Sequence, residues 1–371
     1  MAINIWYIMY ESTQEDIITL VSSYFPYSSL VTSLTTLQFE LGNQEFKLKF
    51  VELCQKLEER NLIGRIEKRN NMIFLIVSKY PPRKQRKWLS KSWTPRLLFC
   101  ITVIFVLIDG YYRTLGVNSL SMIGDPVGVA ILYAWALIGI LGVHEAGHLL
   151  AARMHKIKTT WPYFIPGIPV FGIPTFGALI QSRSITINKD VLFDIAIAGP
   201  IAGLVIAVIV SLFGAYTSPV IDSVTAQGLY QTSQIMDIND NIIMLATLEL
   251  FDKNGDDIDV IMSPIMFAAW IGFLITFLNL LPAWQLDGGH MSRVILGQKW
   301  HKIATYASMG VLVLLGYWVM AMLILVMSSR SPDAKPLDDI SPLSKNRKII
   351  YILVIILAFL CAPIPSSILP F

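Results

Sequence analysis

The chain has 371 residues, is 54% apolar and only 15% charged, and has a mean hydropathy of +0.58 and a formal net charge of +3. Soluble domains carry roughly 25% charged residues, so this composition excludes an ordinary soluble enzyme. The small net charge also argues against an electrostatic nucleic-acid binder, and no nucleic-acid partner is expected.

Residues 1–80 are expected to form a small soluble α+β domain. Ile3–Tyr10 is strand-like, and Ser12-Thr13-Gln14-Glu15 has the form of a capping box opening a helix to about Tyr24. Leu34–Leu41 alternates like a strand, and Asn43–Arg60 places Phe46, Phe50, Leu53 and Leu57 on one helical face. Leu62–Lys68 and Met72–Lys79 predict a hairpin around Asn70-Asn71. No catalytic constellation is visible in this domain, which reads as a docking or regulatory module for a cytoplasmic partner. The start of the chain lacks the positive n-region of a signal peptide.

Residues 81–95 form a basic linker: Arg83, Lys84, Arg86, Lys87 and Lys91, continued by Arg96, with no acid among residues 81–97. Cytoplasmic flanks of membrane helices carry such an excess, which places the N-terminal domain in the cytoplasm.

Residues 96–371 predict a polytopic α-helical membrane domain in contact with the lipid bilayer. Its apolar runs are long enough for six helices, at approximately 96–113, 127–153, 191–215, 263–283, 302–327 and 347–363. Between the second and third, Trp161–Gln181 is apolar but interleaves Pro162, Pro166, Pro169 and Pro174 with Gly167, Gly172 and Gly177, so it cannot be a regular helix. The loop after the third helix holds Asp222, Asp237, Asp240, Glu249, Asp252, Asp256, Asp257 and Asp259 against a lone Lys253, which fits the outer side. Lys345, Arg347 and Lys348 beside the sixth helix fit that topology less well. Asp252-Lys253-Asn254-Gly255-Asp256 lacks the Gly and Glu of a calcium loop and reads as a solvated turn. Cys54, Cys100 and Cys361 have no ligand or disulfide spacing.

The chemistry concentrates in His144-Glu145-Ala146-Gly147-His148. From Pro126 to Ala152 these are the only metal-binding or fully charged side chains, and ionisable groups at membrane depth are costly. Histidines four apart share one helical face and suit zinc, with the intervening glutamate as a general base. A catalytic zinc needs a third protein ligand. His155 and His301 are expected at the surface or interface. Asp287, in Asn279-Leu280-Leu281-Pro282-Ala283-Trp284-Gln285-Leu286-Asp287-Gly288-Gly289-His290, is the better candidate, being the only fully charged residue from Ser263 to Ser292. It sits at the depth expected for the histidines, where Pro282 breaks the helix and Gly288-Gly289 free the backbone. Taken alone, it is equally well an interfacial aspartate at a helix end.

The ordered set of His144-Glu145-Ala146-Gly147-His148, Phe193-Asp194-Ile195-Ala196-Ile197-Ala198-Gly199-Pro200-Ile201-Ala202-Gly203, Asn279-Leu280-Leu281-Pro282 and Leu286-Asp287-Gly288 resembles the site-2 protease family of intramembrane zinc metalloproteases. The branch it resembles is the archaeal and plastid type without a PDZ domain, over roughly residues 95–365. The resemblance implies one catalytic Zn2+ held by His144, His148 and Asp287. It implies that Glu145 moves a proton from water to the leaving amine, and that Asn279 bonds the substrate or its developing oxyanion, unless it is a helix-packing amide. It implies that the region around Trp161–Gln181 dips into the membrane. Phe176, Gly177, Ala178, Leu179 and Ile180 would then be the edge that pairs with an unwound substrate, or an interfacial loop covering the site. Gly199, Ala202 and Gly203 read as helix packing. The expected function is hydrolysis of a peptide bond within or near the transmembrane segment of a single-span membrane protein, releasing a fragment. The alternatives are a catalytically silent relative and a metal-dependent transporter. The expected location is a prokaryotic cell membrane, with the N-terminus and the site towards the cytoplasm.

Overall fold

The computed structural model describes residues 14–33, 35–42, 45–80, 93–168, 173–179, 186–231, 239–255, 257–330 and 335–364. The expected strand Ile3–Tyr10, the capping-box residues Ser12 and Thr13, and linker residues 81–92 lie outside them. The chain divides into two compact units, one of residues 1–85, 185–192 and 335–344, the other of 86–184, 193–334 and 345–371.

The first unit holds α1 (residues 14–24), β1 (Tyr27–Thr32), β2 (Thr36–Leu41), α2 (Lys47–Glu59), β3 (Leu62–Arg69) and β4 (Met72–Lys79). The strands pair antiparallel in the order β1-β2-β4-β3. Asn70 and Asn71 take φ of 47° and 67°, the left-handed pair that a two-residue hairpin turn needs. Val21, Phe25, Phe39, Phe50, Leu53, Leu57 and Leu75 are fully buried between helices and sheet. β1 has no counterpart in the sequence reading, which begins its strand at Leu34. Beyond β3 the sheet continues into chain from far away. Ile66 N–H donates to the Leu337 carbonyl (2.9 Å), and Leu337 and Asp338 N–H donate to the Thr186 and Ile187 carbonyls (3.0 and 2.8 Å). Lys47 closes the same corner, with Nζ 2.8 Å from Asp190 Oδ2 and 2.9 Å from the Pro342 carbonyl.

The second unit is helical. Three of its helices are long and apolar enough to cross a membrane: α3 (Thr94–Asn118), α4 (Pro126–Met154) and α5 (Lys189–Thr217), the last beginning in the first unit. α4 opens with an Asp125 cap, whose carboxylate accepts from Gly128 N–H at 2.8 Å, and Pro126 at the position where no N–H is needed. β5 (Tyr163–Ile168) and β6 (Ile173–Leu179) form an antiparallel hairpin where regular helix was excluded, and both pack on α3. After α5 come β7 (Val220–Asp222), α6 (Ser223–Gln231), α7 (Ile242–Glu249) and β8 (Ile258–Val260). The lone cation of this acidic stretch closes α5. Lys253 Nζ donates to the Ala215, Tyr216 and Ser218 carbonyls at 2.8, 2.9 and 2.6 Å, a cation among the orphan acceptors of a helix C-terminus.

α8 (Pro264–Leu280), α9 (Asp287–Leu314), α10 (Trp318–Arg330) and α11 (Lys345–Leu360) complete the unit. α8 and α10 are apolar but shorter than the first three, so among the described residues three helices, rather than the six expected, are long and apolar enough to cross a membrane. The continuous fifth helix expected over 302–327 is two helices. Gly316, at φ 86°, ends α9, with Tyr317 N–H bonding the Leu312 carbonyl (2.7 Å) and Gly316 N–H the Val313 carbonyl (3.1 Å), the paired bonds of a glycine helix stop. A second left-handed glycine, Gly297 at φ 79°, kinks α9 itself.

Trp135, Val205, Ile209, Leu314, Ile352 and Ile355 are exposed while polar groups lie inside, the inverse of a soluble bundle. The first long helix carries a partly buried ion pair. Asp109 is buried and accepts from Arg113 Nε and Tyr133 OH, both at 2.7 Å, and the Arg113 guanidinium lies 3.4 Å from the Phe267 ring centre. These contacts tie α3 to α4 and α8.

Candidate metal centre

The apolar, uninterrupted run of α4 makes a long helix, and its last third carries His144, Glu145 and His148. The four-residue spacing stacks the two imidazoles on one face, ring centres 4.9 Å apart. α8 stops at Leu280 before Pro282, the chain turns through Trp284 in a left-handed conformation (φ 43°), and α9 starts at Asp287. Asp287 is therefore the first residue of a new helix rather than the end of the fourth. Gly288 and Gly289 lie in that helix. A Cβ on Gly288 would run into the Leu280 carbonyl, and one on Gly289 into the Trp284 and Ala283 carbonyls. Their role is to let α9 start against the end of α8, not to free the backbone.

The donor atoms of the three residues converge. His144 Nε2 and His148 Nε2 are 3.2 Å apart, and Asp287 Oδ2 lies 3.5 and 3.3 Å from them. Among the described residues this is the one such group that could hold a metal ion. Zinc–ligand distances of about 2.0–2.1 Å in a tetrahedral site put ligand atoms about 3.3–3.4 Å apart. The three observed separations form one face of such a tetrahedron, so the donor set fits zinc by both chemistry and size. The fourth corner is left for water or substrate.

The surroundings prepare the ligands. His148 Nδ1 lies 2.7 Å from the Ile195 carbonyl on α5. A carbonyl can only accept, so Nδ1 carries the proton and Nε2 presents its lone pair to the metal position. Gly199 and Gly203 face the imidazoles. A Cβ on Gly199 would collide with His148, and one on Gly203 would come within 3.0 Å of His144 Cβ. Read in sequence as packing positions, these glycines are the clearance for the two rings. Their four-residue spacing matches that of the histidines, and this was the available signal. Glu145 is 8% exposed and makes no hydrogen bond with any described residue, so its carboxylate oxygens are uncommitted. Asn279, in the last turn of α8, puts Nδ2 3.4 Å from His144 Nε2.

The other expectations fall differently. Phe176, Gly177, Ala178 and Leu179 lie on β6, which pairs only with β5 among the described strands, while Ile180 lies outside the described residues. His301 is not at the surface. It is 1% exposed, four residues past the Gly297 kink, and its Nδ1 lies 2.8 Å from Ser292 Oγ, which also donates to the Gly289 carbonyl at 3.0 Å. His155 is partly exposed and pairs with Asp194 at 3.1 Å.

A helix-borne histidine pair and a distant aspartate, brought together among apolar helices with a glutamate beside them, make a donor set suited to a zinc peptidase. The chain belongs to peptidase family M50, whose family model matches residues 132–323. It is 30% identical over 260 residues to the probable zinc metalloprotease EGY2 of Arabidopsis thaliana, covering 67% of this chain and 44% of that protein. It is 30% identical over 243 residues to the probable zinc metalloprotease EGY1 of the same plant (63% and 43%), and 29% identical over 292 residues to EGY2 of Oryza sativa subsp. indica (74% and 50%). The chain thus spans half or less of the length of these relatives. Their names place them in chloroplasts, which agrees with the plastid-type resemblance and lends no support to a prokaryotic cell membrane. No solved structure matches the chain.

Proposed function

We propose that this protein is an intramembrane zinc metalloprotease that hydrolyses a peptide bond in or near the membrane segment of a single-span protein and releases a fragment. The observation that carries this reading is the trio His144, His148 and Asp287, spaced as one face of a zinc tetrahedron, with Glu145 beside it. One zinc ion held there would supply Lewis acidity, lowering the pKa of a coordinated water towards neutrality and polarising the scissile carbonyl. Glu145 takes a proton from the attacking water and passes it to the leaving amine nitrogen. Burial lets its carboxylate act without competing hydrogen bonds from the described residues. The Asn279 amide, next to His144, donates to the substrate oxygen as charge develops on it. β6, with one edge unpaired among the described strands, supports strand addition by an unwound substrate through residues 176–180.

In this reading α8, α9, α10 and α11 complete the membrane domain around the centre, with α9 and α10 running out and back so that residues 335–344 return to the side of residues 1–80, whose sheet they join. The basic linker sets the topology, with residues 1–80 and the centre facing the cytoplasm or its organellar equivalent. Residues 1–80 act as the docking module for a partner on that side.

The test is purified protein with and without Glu145→Gln, with bound zinc measured and a single-span substrate offered. Zinc retained at about one per chain with cleavage lost is the expected result. Cleavage undiminished in the variant would overturn the mechanism, and cleavage absent from both proteins would favour a silent relative.

A further inference from the structure

Three helices meet at one carboxylate that the catalytic scheme does not use. Arg347, in the first turn of α11, donates from Nε to Asp194 Oδ1 (2.7 Å) and from Nη2 to Asp194 Oδ2 (2.6 Å), the two-point grip of a guanidinium on a carboxylate. His155, the residue that caps the C-terminus of α4, reaches the same Oδ2 at 3.1 Å. Asp194 lies on α5, and the next residue is Ile195, whose carbonyl holds His148 Nδ1 at 2.7 Å.

The geometry gives this cluster a purpose beyond stability. Asp194 and Arg347 side chains are 28% and 26% exposed, so solvent screens part of the pair's contribution to folding even in this two-point geometry. They do fix a register. α4 brings His148 and ends at His155, two turns further on, where Lys156 at φ 57° stops the helix. Binding that end of α4 to Asp194 sets the height of α4 against α5, and this height decides whether the Ile195 carbonyl meets His148 Nδ1. Arg347 holds Asp194 from the other side.

We propose that Asp194 is a positioning residue of the metal centre: gripped by Arg347 and His155, it holds α5 so that the Ile195 carbonyl fixes the ring and tautomer of His148. This rests on the zinc-peptidase reading above. Partners that orient a metal-binding histidine are worth about 10–100-fold in metal affinity when lost.

The test uses the full chain, as wild type, Asp194→Asn, Arg347→Lys and Asp190→Asn. Zinc affinity is measured by competition with a chelator, the ligand field by the visible spectrum of the cobalt-substituted protein, and the fold by the melting temperature. Asp190 lies one turn before Asp194 and bonds Lys47 and Ser344 instead, so its variant loses a comparable anchor at the same end of α5 without touching the Asp194 cluster. The expected result is a fall of about 10–100-fold in zinc affinity and an altered cobalt spectrum for Asp194→Asn and Arg347→Lys, with affinity unchanged in Asp190→Asn. Should Asp194→Asn fail to fold, Arg347→Lys carries the test, since it keeps the charge and loses the two-point grip. Wild-type affinity and spectrum in Arg347→Lys, or losses in all three variants that follow the melting temperature, would overturn the proposal. A wild-type protein that binds no zinc would overturn the zinc reading itself, and this proposal with it.

Discussion

Gly199 on α5 lies so close to His148 on α4 that a methyl group at its Cα would occupy the space of the imidazole ring. Two opposing effects meet at this position. Alanine is favoured over glycine inside a helix by about 1 kcal/mol, so Gly199→Ala strengthens α5 locally. It also forces a ligand ring out of place, which costs more than the loss of a ligand's orienting partner. The expected outcome is loss of zinc affinity by well over about tenfold and loss of cleavage. Equilibrium dialysis of the variant checks it, and tight zinc binding would show that the ring has room to move.

Two glycines of α9 separate close approach from helix propensity. Gly288→Ala drives a methyl into the Leu280 carbonyl, whereas Gly310 has nothing within 4 Å of an added Cβ. Overpacking typically costs about 1–3 kcal/mol, so Gly288→Ala lowers the melting temperature and displaces Asp287. Gly310→Ala is neutral or raises stability by up to about 1 kcal/mol. Thermal melts of the two variants side by side decide it, and equal effects would remove the steric argument.

Asp109→Asn removes the carboxylate charge that Arg113 Nε donates to and weakens the Tyr133 hydrogen bond. Breaking a fully buried pair costs about 3–5 kcal/mol. Arg113 is 25% exposed and can turn to solvent, so about 2–3 kcal/mol is expected here. Equilibrium unfolding in mixed micelles measures it, and a change below about 0.5 kcal/mol would mean that the pair is solvated.

Cys54 lies in the core of the first unit, and burial, reinforced by the nearby Asp338 and Glu58 carboxylates, pushes its thiol well above the ordinary range. A free thiol ionises above about pH 8.5, so the unfolded chain gains a thiolate there that the folded unit refuses. The stability linked to Cys54 is therefore present below that pH and declines as pH rises past it. Alkylation of native protein between pH 7 and 9, followed by peptide mapping, is expected to modify Cys54 only after denaturant is added. Labelling that rises with pH in the native protein would contradict this.

The convergence of His144, His148 and Asp287 was legible because isolated charges in apolar sequence have few reasons to exist. The clearance that lets them converge was not, since Gly199 and Gly203 satisfy helix packing equally well and only the facing helix shows what fills the gap. His301 was placed at the surface by its neighbours Lys299 and Trp300, but it is buried four residues past a left-handed glycine, and hydropathy does not register one dihedral angle. Gly316 hid the division of α9 from α10 for the same reason. β1, with Ser28 and Ser29 in its first half, lacks the alternation of β2, and its existence follows from pairing with β2 rather than from its own residues.

The strand pairing of Ile66 with Leu337, and of Leu337 with Thr186, carries a consequence for biosynthesis. A ribosome releases residues 1–80 well before it reaches Thr186 and long before it reaches Leu337, and the segments completing the edge of that sheet are separated from it by α3 and α4 in the one case and by α3 to α10 in the other. The first unit made is thus among the last to be finished. Until then its β3 edge offers free N–H and C=O groups to any passing strand, and a chaperone or a partner would find it most receptive during that interval.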